Sequence, residues 1–510
     1  MATPTLQSAG VPHFEDAADY VACREAFAAA DYNPTAICRR LGVESVPAVG
    51  TTNHPLFLWR TRTGDALDTL IRLFIMGVPV PAGEARAAIA PLPLDQWQAA
   101  GLLAASGDDD SVAATVRLVP YSGMLIANDL NPRTAAEVRS DYVMGVGAAT
   151  TTLANATIRR RVRSTLDLGS GCGTLSLLAA AHSENVVALD RNPRAVEFAR
   201  FNARLNAIDN VEHLEGNLFE PVAGRKFDLI VTNPPFVISP ESRYLFRDSG
   251  MKGDEICRTI IRHAPRHLAE GGYCQMLCNW AHLRGEDWKA HLTGWFEGSG
   301  CDAWVIRSET QDAATYADVW IRQTERHELE RSPKIFEDWM RYYERNGIEA
   351  VSAGLICMRR ASGRPNWVRI DDAPPKMFGP IGEDVARGFD AYTFLATAGD
   401  DALLASSPRV DPHLRMEQQC EPADGGWRVT DVTLSRTAGL AHKGRADAYV
   451  AKLLAQCTGE RPLAHLIRDL ATEVNRTEAE LTPVVLGVVR RMVEQGFLTP
   501  ADGPAGVRAE

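Results

Sequence analysis

Leu166-Asp167-Leu168-Gly169-Ser170-Gly171-Cys172-Gly173 is a short apolar run that stops in glycines at alternate positions. The residues after it, Gly173–Ala181, read as a helix, so the stretch predicts a strand, a tight turn and a helix start. Glycine allows the backbone to come close to a ligand and to turn where larger residues cannot. The first turn of the following helix presents free N–H groups. Twenty-one residues after Gly169, Asp190 closes a second predicted strand, Asn185–Leu189, where a carboxylate can accept both hydroxyls of a ribose. After a third strand, Val211–Leu214, comes Glu215-Gly216-Asn217-Leu218-Phe219. The Asn217 side chain can accept from an adenine amino group there, and Leu218 can offer its backbone N–H to the ring.

A glycine-rich turn and an acid at a strand tip would also suit a dinucleotide. Two features favour a different cofactor. The spacing is not G-x-G-x-x-G, and Asp167 places an acid inside the end of the first strand. S-adenosylmethionine has no pyrophosphate to neutralise, but it carries a sulfonium and an ammonium that such a carboxylate suits. The expected cofactor contacts are therefore Asp167, Gly169, Gly171, Gly173, Asp190, Asn217 and Leu218.

Strands and helices keep alternating beyond this point. Pro193–Asn206 opens with proline, as helix first turns often do, and Phe227–Thr232 is a fourth apolar strand. Asp254 can cap a helix that runs to about Leu268, and Gly271-Gly272 precedes a strand over Tyr273–Cys278. Such alternation implies a parallel sheet covered on both faces.

The fourth strand ends in Asn233-Pro234-Pro235-Phe236, at the sheet edge where open α/β folds place ligands. Prolines lack N–H groups and hold the preceding residue extended. The Asn233 side-chain oxygen and the Pro234 carbonyl can each accept one hydrogen of an –NH2 group. Two such bonds would orient the nitrogen lone pair, and Phe236 could stack on a planar amide or base. Methyl transfer from a sulfonium needs alignment more than a strong base. Asn233, Pro234 and Phe236 are accordingly the candidate catalytic residues. Pro235, Tyr244, Arg247, Asn279 and Trp280 are candidates for contact with the acceptor. No metal is expected.

On these motifs, residues from about Asp141 to Met358 resemble class I S-adenosylmethionine-dependent methyltransferases. Asn217-Leu218-Phe219 and Asn233-Pro234-Pro235-Phe236 are similar to the N-methyltransferase branch, which holds release-factor glutamine and ribosomal-RNA guanine-N2 and adenine-N6 enzymes. The resemblance implies a Rossmann-like core of seven strands. Many relatives have Asp at the position of Asn217, and glutamine enzymes usually have Tyr at that of Phe236. The implied acceptor is a planar amide or exocyclic amino nitrogen in RNA or protein. A small metabolite is the alternative within this chemistry, and a cofactor-binding, DNA-binding regulator is the alternative outside it.

The 510 residues exceed one ordinary core. Residues 1–135 read as helices followed by a hairpin, the winged-helix order. Residues 136–360 form the methyltransferase domain, with a helical insertion near 312–346 carrying Trp339, Tyr342 and Tyr343. Ala361-Ser362-Gly363-Arg364-Pro365 reads as a linker to an α+β segment over 361–438. Residues 439–510 again read as three helices, closing in Gln495-Gly496-Phe497-Leu498, a second winged-helix-like domain. The net charge of −11 argues against a generic nucleic-acid binder. No apolar run approaches the ~20 residues of a membrane span, and Met1-Ala2-Thr3-Pro4 lacks a signal-peptide pattern. The ten cysteines show no C-x-x-C pair, which suits buried thiols in a reducing cytoplasm.

Overall fold

The computed structural model describes residues 10–47, 55–107, 110–131, 139–240, 245, 247–248, 250–324, 332–374 and 377–500. It divides into two compact units. One comprises residues 1–154 and 161–366, the other residues 155–160 and 367–510. Tyr244, an expected acceptor contact, lies outside the described residues.

The first unit opens with helices α1 (Ala17–Ala29), α2 (Pro34–Leu41), α3 (Pro55–Arg60) and α4 (Ala66–Leu70), the last continuing as a π-helical turn over Ile71–Ile75. Asn33 and Asp65 cap α2 and α4 through their side-chain oxygens. Then follow β1 (Val80–Pro81), α5 (Ala82–Ala88), α6 (Leu94–Ala99), β2 (Leu103–Ala105) and β3 (Ser111–Ala114). These three strands form a small sheet in the order β1-β3-β2. A hairpin of β4 (Val116–Tyr121) and β5 (Met124–Asp129) leads on to α7 (Ala148–Ala156).

The α/β core runs through β6 (Val162–Leu168), α8 (Thr174–Ala180), β7 (Ser183–Asp190), α9 (Pro193–Leu205), β8 (Val211–Glu215), β9 (Phe227–Thr232), α10 (Glu255–His263), β10 (Leu268–Leu283), α11 (Trp288–Gly294), β11 (Cys301–Asp312), α12 (Ala313–Thr324), α13 (Ser332–Asn346) and β12 (Ile348–Arg360). In space the strands lie in the order β11-β12-β10-β9-β6-β7-β8. β6 pairs parallel to both β7 and β9, and β9 parallel to β10. Only β12 runs antiparallel, between β10 and β11. Within this unit a single reversed strand sits near one edge of an otherwise parallel seven-stranded sheet, the class I methyltransferase arrangement. The order reverses beside β6, between β9 and β7, so the carboxyl ends there form the crevice in which such sheets bind ligands.

The N-terminal helices and this core share one apolar interior. Phe14, Tyr20, Phe27 and Trp97 pack together with Phe198, Phe201 and Leu205 of α9. Polar contacts add to the seam, where Asn202 on α9 accepts from the Ala127 N–H and donates to the carbonyls of Ala127 and Cys172.

β10 pairs with β9 only as far as Met276, opposite Thr232, and then continues to Leu283 against β12 alone. Seven residues of extended chain reach about 24 Å beyond the sheet edge. β11 overshoots in the same way, and α12 and α13 grow from its end. The long β10–β12–β11 overhang thus raises a helical hairpin above the carboxyl ends of the parallel strands.

The second unit contains β13 (Val368–Asp372), β14 (Met377–Phe378), α14 (Gly382–Thr397), α15 (Asp400–Ala405), β15 (Pro408–Val410), β16 (Leu414–Ala423), β17 (Gly426–Arg436), β18 (Gly439–Leu440), β19 (Lys443–Ala446), α16 (Ala448–Gln456), α17 (Leu463–Glu473), α18 (Glu478–Glu494) and β20 (Leu498–Pro500). Leu453, Leu466, Ile467, Val489 and Phe497 form its core. Buried Arg436 donates to Asp384 and Asp411, both buried as well. Among the described residues no helix is long and apolar enough to cross a membrane, and no group of three His, Cys, Asp or Glu could hold a metal.

Candidate active site

β6 delivers Asp167 and Leu168 to the sheet edge, and the chain then turns through Gly169, Gly171 and Gly173, all at positive φ. The turn is pinned to the neighbouring strand, because the N–H groups of Gly169 and Ser170 both donate to the Leu189 carbonyl, at 2.8 and 3.0 Å. A side chain at Gly171 would enter open space, whereas one at Gly173 would strike Ala199 of α9. Gly169 and Gly171 line a cavity, and Gly173 lets α8 start close against α9.

Asp190, at the tip of β7, accepts from the Gly171 N–H and the Asn192 N–H, each at 2.8 Å. Asp190 also lines the cavity. Burial raises its pKa, and the two N–H donors oppose that rise. After β8, Gly216, Asn217 and Leu218 line the same cavity. Leu218 holds φ at +48°, a left-handed conformation that is strained for a bulky residue and that recurs at ligand clamps.

At the end of β9, Thr232 donates to the Leu168 carbonyl at 2.7 Å, which registers the Asn-Pro-Pro segment against the glycine turn. Asn233, Pro234 and Pro235 line the cavity. The Asn233 Oδ1 is buried and has no hydrogen-bond partner among the described residues. An unpaired buried acceptor is costly, and an N–H donor entering the cavity would satisfy this one. The Ser170 hydroxyl, also in the cavity wall, is likewise buried without a partner among the described residues.

The other expected residues sit elsewhere. Asp167 is fully buried behind the turn, where the Ser176 hydroxyl donates to it at 2.5 Å, and burial raises its carboxyl to about 7. Phe236 meets Trp320 of α12 edge-on, with ring centroids 6.4 Å apart, and pairs with Asp248 across a β-bridge. Asn279 is buried and donates to the Tyr316 hydroxyl. Arg247 and Trp280, expected to touch the acceptor, do not line the cavity. Arg247 is buried in a two-pronged ion pair with Asp248, and Trp280 is buried beside Trp288.

The cavity has a wall that the motifs did not announce, formed by Tyr142, Val143, Met144, Gly145 and Thr150, with Ile256 and Ile260 of α10 opposite. Asn192 caps α9 and donates to the Asp141 carbonyl at 2.9 Å. Asp129 accepts from the Val143 N–H at 2.8 Å and is paired with Arg194. These contacts hang the 141–145 segment over the strand tips. A hint was present in Gly145 and Gly147, but contacts between residues some 50 apart in sequence place the segment there.

Residues 143–294 match the family model of the methyltransferase small domain, and residues 29–115 and 386–500 match two domains of unknown function. The putative protein N5-glutamine methyltransferase of Methanocaldococcus jannaschii is 36% identical over 122 residues, 22% of this chain and 61% of that protein. The ribosomal protein uL3 glutamine methyltransferase of Bradyrhizobium diazoefficiens is 36% identical over 149 residues, 27% of this chain and 46% of that one. The release factor glutamine methyltransferase of Aquifex aeolicus is 37% identical over 126 residues, covering 22% and 45%. The chain thus spans about half the length of the relatives it matches.

Proposed function

We propose that this chain, whose residues 143–294 carry a methyltransferase small domain, is an S-adenosylmethionine-dependent N-methyltransferase acting on an amide nitrogen of a protein. The observation that carries this reading is the orphaned Asn233 Oδ1 in the cavity wall beside the strained Leu218 and the open glycine turn. The relatives' glutamine acceptors favour a primary amide of protein over a nucleobase or a metabolite.

The donor set fits the cofactor. Asp190 offers lone pairs for ribose hydroxyls, Asn217 and the Leu218 N–H serve the adenine, and the Ser170 hydroxyl can donate to a carboxylate. When bound, S-adenosylmethionine supplies a methyl group already activated on a sulfonium. Asn233 Oδ1 and the Pro234 carbonyl accept the two amide hydrogens and turn the nitrogen lone pair out of conjugation. The two prolines stiffen those acceptors. Alignment of this kind is worth ~7–11 kcal/mol in favourable cases. The methylated nitrogen can lose its proton after attack, so no strong base is required.

We read the flanks as winged-helix-like. Support comes from the order helix, β1, α5, α6, β2, β3, with β3 between β1 and β2. In the second unit, β15 pairs with β20 and bridges Thr458, between α16 and α17, in an equivalent arrangement. A cytoplasmic location accords with ten free cysteines.

The test is transfer of label from S-adenosylmethionine into a lysate lacking this protein, fractionated into protein, RNA and small molecules, with Asn233→Ala as control. Label in protein that is lost in the variant supports the reading. Label confined to RNA or metabolites would overturn the acceptor assignment.

A further inference from the structure

The loop between the Asn233 clamp and α10 is held from outside by the α12–α13 hairpin. The Ile238 N–H donates to the Tyr316 hydroxyl at 3.2 Å, and the Tyr343 hydroxyl donates to the Ile238 carbonyl at 2.9 Å. Both polar groups of one main-chain residue are thus taken by phenols from two different helices. Asn279 also donates to Tyr316, at 2.7 Å, so both lone pairs of that oxygen are used. At the far end of the loop, the Gly253 N–H donates to the Tyr342 hydroxyl at 2.9 Å. Between these points Arg247 donates to Thr324 of α12 and lies over the ring of Trp339 on α13. Its ion-pair partner Asp248 accepts from Ser239 and bridges Phe236.

Ile238, Tyr316 and Tyr343 are buried, so the Ile238 peptide groups have no water to fall back on when a phenol is removed. Four residues separate Ile238 from Asn233, and two of them are prolines with fixed φ. A shift at Ile238 is therefore passed to the clamp rather than absorbed.

We propose that the α12–α13 hairpin is the holder of the acceptor loop, and that Tyr316 is a positioning residue for Asn233. The hairpin presets the clamp before an acceptor arrives. This rests on the assignment of Asn233 as the acceptor clamp. The hairpin lies beyond the 143–294 segment, so nothing in the domain match assigns it a role.

The experiment compares Tyr316→Phe, Tyr343→Phe and Tyr32→Phe. Tyr32 is a control, because its buried hydroxyl also bonds a backbone carbonyl, that of Leu118, away from the loop. Hydrogen exchange of peptides covering 236–254 is read first, in the full chain without acceptor. Exchange at Ile238 should accelerate ~10-fold in Tyr316→Phe, the order expected for one lost hydrogen bond, and stay unchanged in Tyr32→Phe. With the acceptor found above, kcat should fall ~10–100-fold in Tyr316→Phe, as for a misplaced reacting group, while the cofactor KM stays within about twofold of wild type. Unchanged loop exchange in Tyr316→Phe would overturn the proposal, as would an equal loss of kcat in Tyr32→Phe. Faster loop exchange in a chain that never transfers methyl would retain the holder and reject the methyltransferase reading.

Discussion

Alanine at Gly171 and at Gly173 should fail in different ways, although the two glycines share one turn. Their φ angles are 54° and 84°, so either substitution costs ~1–2 kcal/mol for the left-handed backbone. At Gly173 the new Cβ would lie 2.9 Å from Ala199 Cβ and 3.0 Å from Ala199 Cα. α9 is packed into the shared core and cannot yield, which adds ~1–3 kcal/mol of overpacking. The expected loss for Gly173→Ala is ~2–5 kcal/mol in all. At Gly171 nothing lies within 4 Å of the new Cβ, so stability falls by the backbone cost alone, ~1–2 kcal/mol. There the methyl group occupies cofactor space, and affinity should drop at least ~10-fold, about 1.4 kcal/mol. Urea unfolding followed by tryptophan fluorescence gives the first quantity, and calorimetric titration with S-adenosylhomocysteine gives the second. Equal destabilisation by the two variants, or tight cofactor binding by Gly171→Ala, would refute the division of the turn into a packing glycine and a cavity glycine.

Asp190→Ala should abolish measurable cofactor binding in the same titration, and unchanged affinity would reject the ribose assignment. Asn192→Ala removes both a helix cap and the tie to Asp141; it should cost ~1 kcal/mol of stability and also weaken the cofactor by loosening the 141–145 wall. Asp167 makes stability depend on pH. Its carboxyl titrates at about 7 in the fold and near 4 when unfolded, so the native state binds the extra proton between those values and loses stability as pH rises through them. Asp167→Asn lacks this slope, so its urea midpoint relative to wild type should climb from pH 5 to pH 8; a constant gap would show that Asp167 is ionised throughout. Asp384→Ala leaves buried Arg436 with Asp411 as its carboxylate partner and should cost ~1–3 kcal/mol, visible as faster proteolysis within residues 367–500.

The α/β core was legible because β6, β7 and β9 are short apolar runs closed by turn residues, and because each strand tip carries a side chain with chemistry of its own. Asp190, Leu218 and Asn233 could be placed in the cavity wall for that reason. The ends of β10, β11 and β12 were not legible. Tyr273–Cys278 reads as a strand of ordinary length, but the structure continues it through Leu283. The extension is stabilised by pairing among the three strands and not by any local pattern. Arg247 and Trp280 lie outside the cavity for a related reason. An arginine or tryptophan near a strand tip looks available until its partner is known, and here Asp248 and Trp288 take them. The Tyr142–Gly145 wall offers only the glycines Gly145 and Gly147 as a local signal, and it is the fold that brings it over the site.

The seam between the N-terminal helices and α9 bears on how the chain can be shortened. The match to the methyltransferase small domain begins at residue 143. A fragment cut there would bare the faces of Phe198, Phe201 and Leu205, which are now covered by Phe14, Tyr20 and their neighbours. Rings of this size bury 150–250 Å² each, and such a surface invites aggregation. The physical edge of the α/β body therefore lies more than a hundred residues upstream of its recognisable edge, and a soluble fragment of it has to begin before Phe14.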